Sequence, residues 1–187
     1  MTRILGVDPG LETTGYGLIE LAGGGLATHL ASGVVTTRPT HTLPMRLTVL
    51  YAEFSRLLTE LRPQMVVLEE LYAHYEHPMT AVLMGHARGV ISLAVAQHRV
   101  PLACYLPTRV KKAVTGNGHA TKVQVQGMVT AILGLPRRPE PNDVSDALAL
   151  ALTHSRTLDR PSLGTLARTR RRPLPAALQA LLTEARA

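Results

Sequence analysis

The first twenty residues constrain the chain most. Residues 4–7, Ile-Leu-Gly-Val, form a short apolar run, the pattern of a strand buried on both faces, and the run ends on one carboxylate, Asp8. Pro9 and Gly10 then turn the chain, and residues 15–20 predict a second strand returning beside the first. Asp8 is therefore expected at the C-terminal tip of a central strand, desolvated by the sheet yet open at one edge. That setting suits a metal ligand. It equally suits a polar residue opening a Pro-Gly turn, and the two differ in whether other carboxylates converge on Asp8.

The remaining chain predicts a third strand at residues 29–36, after the Gly23-Gly24-Gly25 turn, which completes an antiparallel meander. Thr42 is a suitable N-cap for a helix over residues 43–61, where Leu47, Leu50, Phe54, Leu57, Leu58 and Leu61 recur at helical spacing. Residues 65–68 read as a short strand running into Glu69-Glu70. A loop with Tyr72, His74, Tyr75 and His77 follows, then a second helix over residues 80–97 that is apolar on several faces and expected to be buried, partly by another subunit. Residues 101–106 predict a fifth strand, and residues 121–133 and 143–154 two further helices, the last with Asn142 as N-cap and His154 capping its C-terminal end. The order of elements is α/β with a mixed five-stranded sheet flanked by helices, the ribonuclease-H-like arrangement. Residues 1–156 are expected to form the folded domain. Residues 157–187 read as a weakly ordered Arg/Pro-rich basic tail with a short helix near residues 176–185.

At 187 residues the chain is long enough for one domain with a sizeable core, and no apolar run in it approaches the roughly 18 residues of a membrane span. It opens without the apolar stretch of a signal peptide. Cys104 is the only cysteine, which excludes an internal disulfide and fits a reducing cytoplasm. The net charge of +7 favours a polyanionic partner, nucleic acid above all. All three lysines lie between Lys111 and Lys122, and three of only four aspartates are Asp8, Asp143 and Asp146.

Asp143 and Asp146 are three apart in the first turn of the last predicted helix, so both carboxylates share one face about 5–6 Å apart between Cβ atoms, where the helix N-terminus favours negative charge. If the fourth strand runs parallel to the first, the acid at its end meets Asp8 at one sheet edge. Side chains alternate along a strand, so only one of Glu69 and Glu70 can face the site; Glu69 directly follows the apolar run, with Glu70 in reserve. Two charges 4 Å apart at an effective dielectric of 20 repel by roughly 4 kcal/mol. Two divalent cations would neutralise such a cluster, and hard all-oxygen ligands select Mg²⁺ or Mn²⁺.

Several motifs carry a resemblance to a known family over residues 4–154. They are Gly-Val-Asp-Pro-Gly with Thr-Gly-Tyr-Gly in residues 6–17, Val-Leu-Glu in 67–69, and Gly-His-Ala-Arg-Gly in 85–89. Val110-Lys111, then Gly-Asn-Gly with Lys-Val-Gln-Val-Gln in 116–126, and Asp-Val-Ser-Asp-Ala-Leu-Ala in 143–149 complete the set. The chain resembles the RuvC family of bacterial Holliday-junction resolvases. The resemblance implies Asp8, Glu69, Asp143 and Asp146 as ligands of two Mg²⁺ ions, with Mn²⁺ able to substitute. It places Lys111 and Lys122 near the scissile phosphate and implies a homodimer that nicks opposing strands of a four-way DNA junction delivered by the RuvA–RuvB machinery. Two positions depart from the family: Glu70 stands where Gln is frequent, and Tyr72 where Phe is common. Tyr72 is then the expected base-stacking residue, and Arg88, Arg109 and Lys112 join Lys111 and Lys122 as expected DNA contacts. The opening Asp-x-Gly and Thr-rich turn also occur in actin-like phosphotransferases, where the turn holds ATP phosphates. This chain has one such turn and is short for a two-domain clamp.

Overall fold

A computed structural model of the chain describes residues 1–23, 25–70 and 78–158. The elements run β1 (Thr2–Asp8), β2 (Thr13–Leu21), β3 (Ala27–Thr36), α1 (Leu43–Leu61), β4 (Met65–Glu69), α2 (Pro78–Gln97), β5 (Leu102–Tyr105), α3 (Pro107–Thr115), α4 (Lys122–Ile132) and α5 (Asn142–Leu158). The five strands form one sheet in the order β3-β2-β1-β4-β5. The first three strands pair antiparallel, whereas β1–β4 and β4–β5 are parallel. This is the mixed sheet expected from the sequence, with β1 at its centre.

Strand alternation divides the core between the two faces of the sheet. Ile4, Ile19 and Val67 pack with Val110, Val125, Leu148 and Leu152 from α3, α4 and α5. Leu5, Val7, Val66 and Leu68 turn the other way, onto Leu50 and Phe54 of α1 and Ala87 and Ile91 of α2. The residues that end β1 and β4 inherit this parity. Asp8 follows Ile4, and Glu69 follows Val67, so both belong to the face covered by α5.

Helix α5 lies unusually close to β1 and β2 because glycines face it. A Cβ on Gly6 would stand 1.9 Å from the Ala147 carbonyl oxygen, and one on Gly15 would stand 2.1 Å from that of Asp143. The sheet therefore carries no side chain where the helix backbone rests, and the helix N-terminus is drawn to the tip of β1.

Several expectations need correction. Helix α3 was not predicted, although Pro107 at its first position, Val110 and Val114 buried one turn apart, and Gly116 in the left-handed region at its end are all helix signals. β2 and β3 each begin two residues earlier than expected. Thr42 precedes α1 but its hydroxyl caps nothing. His154 does not cap α5, which continues to Leu158; the imidazole is buried and shares a 2.9 Å hydrogen bond with the Tyr105 hydroxyl through Nδ1. Residues 79–97 of α2 are long and apolar enough to cross a membrane by length and composition, contrary to the expectation that no run comes near. One face of that helix packs on the sheet through Ala87, Ile91, Ala94 and Val95. The predicted boundary at residue 156 falls inside α5, and the tail from residue 159 lies outside the described residues.

The glycine contacts make a stability prediction. Gly6→Ala must push α5 off the sheet and is expected to lower stability by about 1–3 kcal/mol or more. Gly127→Ala, inside α4 with no atom within 4 Å of the added carbon, is expected to raise it by about 0.8–1.0 kcal/mol. Thermal melts at about 2–4 °C per kcal/mol should move in opposite directions.

Candidate active site

The site is built from the tips of two parallel strands and the starts of two helices. In register, Val7 lies opposite Leu68, so Asp8 and Glu69 emerge side by side at the C-terminal edge of the sheet. Glu70 is exposed, has the opposite parity, and donates its backbone N–H to the Tyr105 carbonyl at 2.9 Å. Asp143 sits over Gly15 in the first turn of α5, and Asp146 follows one turn later. A cavity of about 310 Å³ is lined by Asp8, Glu69 and Asp146, by Lys111 of α3 and Lys122 of α4, and by apolar groups including Met84 and Val110. Asp143 does not line this cavity, yet its charge raises the proton affinity of both Asp8 and Asp146.

Burial is the main reason these acids bind protons more readily than usual. It pushes Asp8 up to about 8, with the Glu69 and Asp146 charges adding to the effect. Glu69 and Asp146 are also raised, first by burial, with Lys122 and Lys111 opposing the rise. The neighbouring Asp8 and Glu69 carboxyls act on each other's proton affinity, raising that of Asp8 and lowering that of Glu69. Lys122 Nζ stands 3.7 Å from Asp146 Oδ2. Among the described residues no three acidic, His or Cys side chains close into a ready metal cage. Lys122 offsets part of the negative charge at Asp146. The donor chemistry fits a divalent cation: hard carboxylate oxygens are crowded and desolvated until they favour protons, and a cation relieves the same repulsion.

The local sequence explains how these groups are held. Thr121 and Gln124 form a capping box that starts α4 at Lys122, although a cation is disfavoured at a helix N-terminus. The turn after Asp8 is locked: the Thr14 hydroxyl donates to the Gly10 carbonyl at 2.5 Å and accepts from the Gly10 N–H at 3.2 Å. The hydroxyl of Thr37 donates to the Leu11 carbonyl at 2.6 Å. Thr14 is thus spent inside the turn rather than offered to a nucleotide phosphate.

The expected DNA contacts fall into three groups. Lys111 and Lys122 reach the cavity. Arg88 is turned inward, donating to the Glu69 carbonyl at 3.1 Å and contacting Cys104 Sγ at 3.0 Å. It therefore supports the backbone of a site acid, a role that its place in Gly-His-Ala-Arg-Gly did not disclose. Arg109 lies over the Tyr105 ring at 4.7 Å, and with Lys112 lines a separate cavity. Tyr72 lies outside the described residues, as do His74, Tyr75 and His77.

A ribonuclease-H-like sheet whose central strand ends in an acid, beside a second strand-end acid and two from the last helix, defines the class of metal-dependent nucleases. Residues 4–154 match the profile of RuvC, crossover junction endodeoxyribonuclease. The chain belongs to the RuvC family. A crossover junction endodeoxyribonuclease RuvC from Rhodopirellula baltica is 49% identical over 149 residues, 80% of this chain and 83% of its own. One from Alkaliphilus oremlandii is 44% identical over 154 residues, 82% of this chain and 93% of its own. Among solved structures, T. thermophilus RuvC in complex with Holliday junction substrate superposes with a TM-score of 0.78 at 36% identity, over 83% of this chain and 93% of that one. The yeast mitochondrial Holliday junction resolvase Ydc2, at 15% identity and a TM-score of 0.63 over 83% of this chain and 78% of its own, shares the fold.

The electrostatics predict a pH dependence. The fold holds a proton on Asp8 that the unfolded chain, with its ordinary value of 3.8, gives up far more readily. Stability of the metal-free protein should therefore be greatest below about 4 as far as Asp8 is concerned, and fall as pH rises towards about 8. Asp8→Asn should flatten that slope, and added Mg²⁺ should oppose it. Melts in EDTA between pH 5 and 8.5 check this; a slope equal in wild type and Asp8→Asn counts against it.

Proposed function

We propose that the chain resolves Holliday junctions by hydrolysing phosphodiesters at symmetric positions in two opposing strands. The observation that supports this most is the convergence of Asp8, Glu69 and Asp146 with Lys111 and Lys122 in one cavity of a RuvC-family fold. Asp8, Glu69, Asp143 and Asp146 would hold two Mg²⁺ ions, with Mn²⁺ as a substitute. When bound, such ions activate water and stabilise the leaving oxygen.

The chain's own groups do the rest. Lys111 and Lys122 hold and polarise the scissile phosphate from two sides of the cavity. Lys122 rests on Asp146, and substrate would give it a phosphate oxygen instead. Arg88 fixes the end of β4 so that Glu69 keeps its direction. Pro107, Val110, Val125 and Leu150 in the cavity wall lower the local dielectric and strengthen each of these interactions. Tyr72 would stack on an unpaired base at the junction centre. Stacking of this kind contributes about 1–3 kcal/mol per base.

Two symmetric cuts call for two copies of the site. Val82, Gly89 and Leu93 lie along one stripe of α2. Val82 is 51% exposed and Leu93 52%, and no atom lies within 4 Å of a Cβ on Gly89. We assign this stripe to a homodimer contact. The same family reading makes RuvA–RuvB the source of the junction and the cytoplasm the place of action.

A mobile four-way junction and a linear duplex of the same sequence, each in Mg²⁺, Mn²⁺ and EDTA, test the proposal. Paired nicks are expected only with junction and metal. Asp8→Asn and Glu69→Gln should each lower the rate by at least a hundredfold while junction binding persists, and Glu70→Gln should cut normally. Nicking by Asp8→Asn at the wild-type rate would remove the ligand assignment. Val82→Asp with Leu93→Asp should sediment as monomer and lose the pairing of nicks; a dimer unaffected by both changes places the contact elsewhere.

A further inference from the structure

Helix α3 is lined by cations on two opposite faces, and only one of them belongs to the active site. At 3.6 residues per turn, Pro107, Val110 and Lys111 share one face, and these line the catalytic cavity. Arg109, Lys112, Ala113 and Gly116 share the other. They line a second cavity of about 350 Å³, closed on its far side by Thr153, Arg156 and Thr157 of α5.

This second cavity is prepared for an anion. Its charged lining residues are Arg109, Lys112 and Arg156, with no acid among them. None of the three has an acidic partner within 4 Å among the described residues. Both guanidinium groups are held in place while keeping donors free. Arg109 lies over the Tyr105 ring, and Arg156 donates one N–H to the Ala113 carbonyl. The helix end accounts for only part of this charge: Lys112 lies in the last turn of α3 and Arg156 donates to a last-turn carbonyl, whereas Arg109 lies at the other end. The last-turn carbonyls of Lys111, Lys112 and Ala113 are already taken by the Thr115 hydroxyl, the Gly116 N–H and Arg156. Arg109 sits in the first turn of α3, where the helix dipole opposes positive charge.

We propose that Arg109, Lys112 and Arg156 form a second phosphate site, which takes the DNA backbone facing the scissile strand across a groove of the junction arm. This rests on the resolvase reading. The two sites stand about one helix diameter apart, roughly 10–12 Å. That matches the roughly 12 Å width of a DNA major groove. Lys111 then meets the cut strand and the second cavity meets its opposite, which fixes the arm's rotation about its axis and so the phosphate presented to the acids.

The test compares wild type, the triple variant Arg109→Gln/Lys112→Gln/Arg156→Gln, Arg156→Lys and Lys111→Gln. Junction affinity is read in EDTA across a salt series, and single-turnover cleavage in Mg²⁺ on saturated enzyme. Each lost phosphate contact should take about 0.9 off the salt slope, so the triple variant should lose about 1–2 units of slope and bind roughly tenfold more weakly. Its loss should fall mainly on affinity, whereas that of Lys111→Gln should fall mainly on rate. Arg156→Lys keeps the charge and should keep the slope. A triple variant with wild-type slope and affinity overturns the site. So does an Arg156→Lys variant as impaired as the triple variant, because the charge of Arg156 would then not be what the site uses. Wild type that binds the junction but never nicks it in metal would instead overturn the resolvase reading, since the slope is measured without metal.

Discussion

The active site depends on how closely α5 can lie on the sheet. Gly6, Gly15 and Gly17 leave β1 and β2 without side chains under the helix, and a Cβ at Gly17 would meet the Leu148 side chain at 2.5 Å. From Val144 to Ser155 every residue of α5 is buried except Asp146. The hydroxyls in that stretch bond to backbone, Thr153 to the Ala149 carbonyl at 2.7 Å, Ser155 to that of Leu152 at 2.8 Å and Ser145 to that of Pro139 at 3.3 Å, while His154 meets the Tyr105 hydroxyl. A helix so enclosed cannot slide. Asp143 and Asp146 are therefore positioned by the core, and the acid cluster gains its rigidity from packing that has no charge in it.

Against that rigid frame, charges stand where local preference disfavours them. Lys122 opens α4 and Arg109 lies in the first turn of α3, both at the positive end of a helix. Asp8 and Glu69 are crowded in a desolvated edge that raises the proton affinity of both. Each placement lowers stability on its own, and they cluster within the cavity or on the helix beside it. Proteins tend to break local rules where function requires it. Repulsion among acids and the misplaced lysine are complementary: the acids call for positive charge, and Lys122 supplies part of it at 3.7 Å from Asp146.

Much of this was legible in the sequence. The run that ends at Asp8, the period of α1 and the Asp-x-x-Asp pair in α5 follow from periodicity and spacing. Strand parity allowed only one of Glu69 and Glu70 to face the site and the preceding apolar run favoured Glu69, whose place at the end of β4 beside Asp8 follows from the register. What stayed hidden depends on distance across the fold. Helix α3 is only nine residues long and shows too short an apolar repeat to stand out. Gly15 and Gly17 read as strand residues, because their lack of a side chain matters only once α5 is overhead. Arg88 read only as a DNA contact, since nothing local shows that the Glu69 carbonyl is its acceptor. Arg109, Lys111 and Lys112 read as one basic cluster, and only the helix they occupy sends them to opposite faces.

The position of Arg88 joins two features that would otherwise be separate. Its neighbours Ala87 and Ile91 anchor α2 to the sheet, and Gly89 and Leu93 lie on the outward stripe assigned to the second protomer. Its guanidinium meanwhile grips the end of β4 at the Glu69 carbonyl and reaches Cys104 on β5. One turn of helix thus carries the exposed stripe, a core anchor and the support of Glu69. A displacement of α2 large enough to open the outward stripe would draw on the same bonds that aim Glu69. The outward stripe and the alignment of Glu69 are therefore coupled through α2.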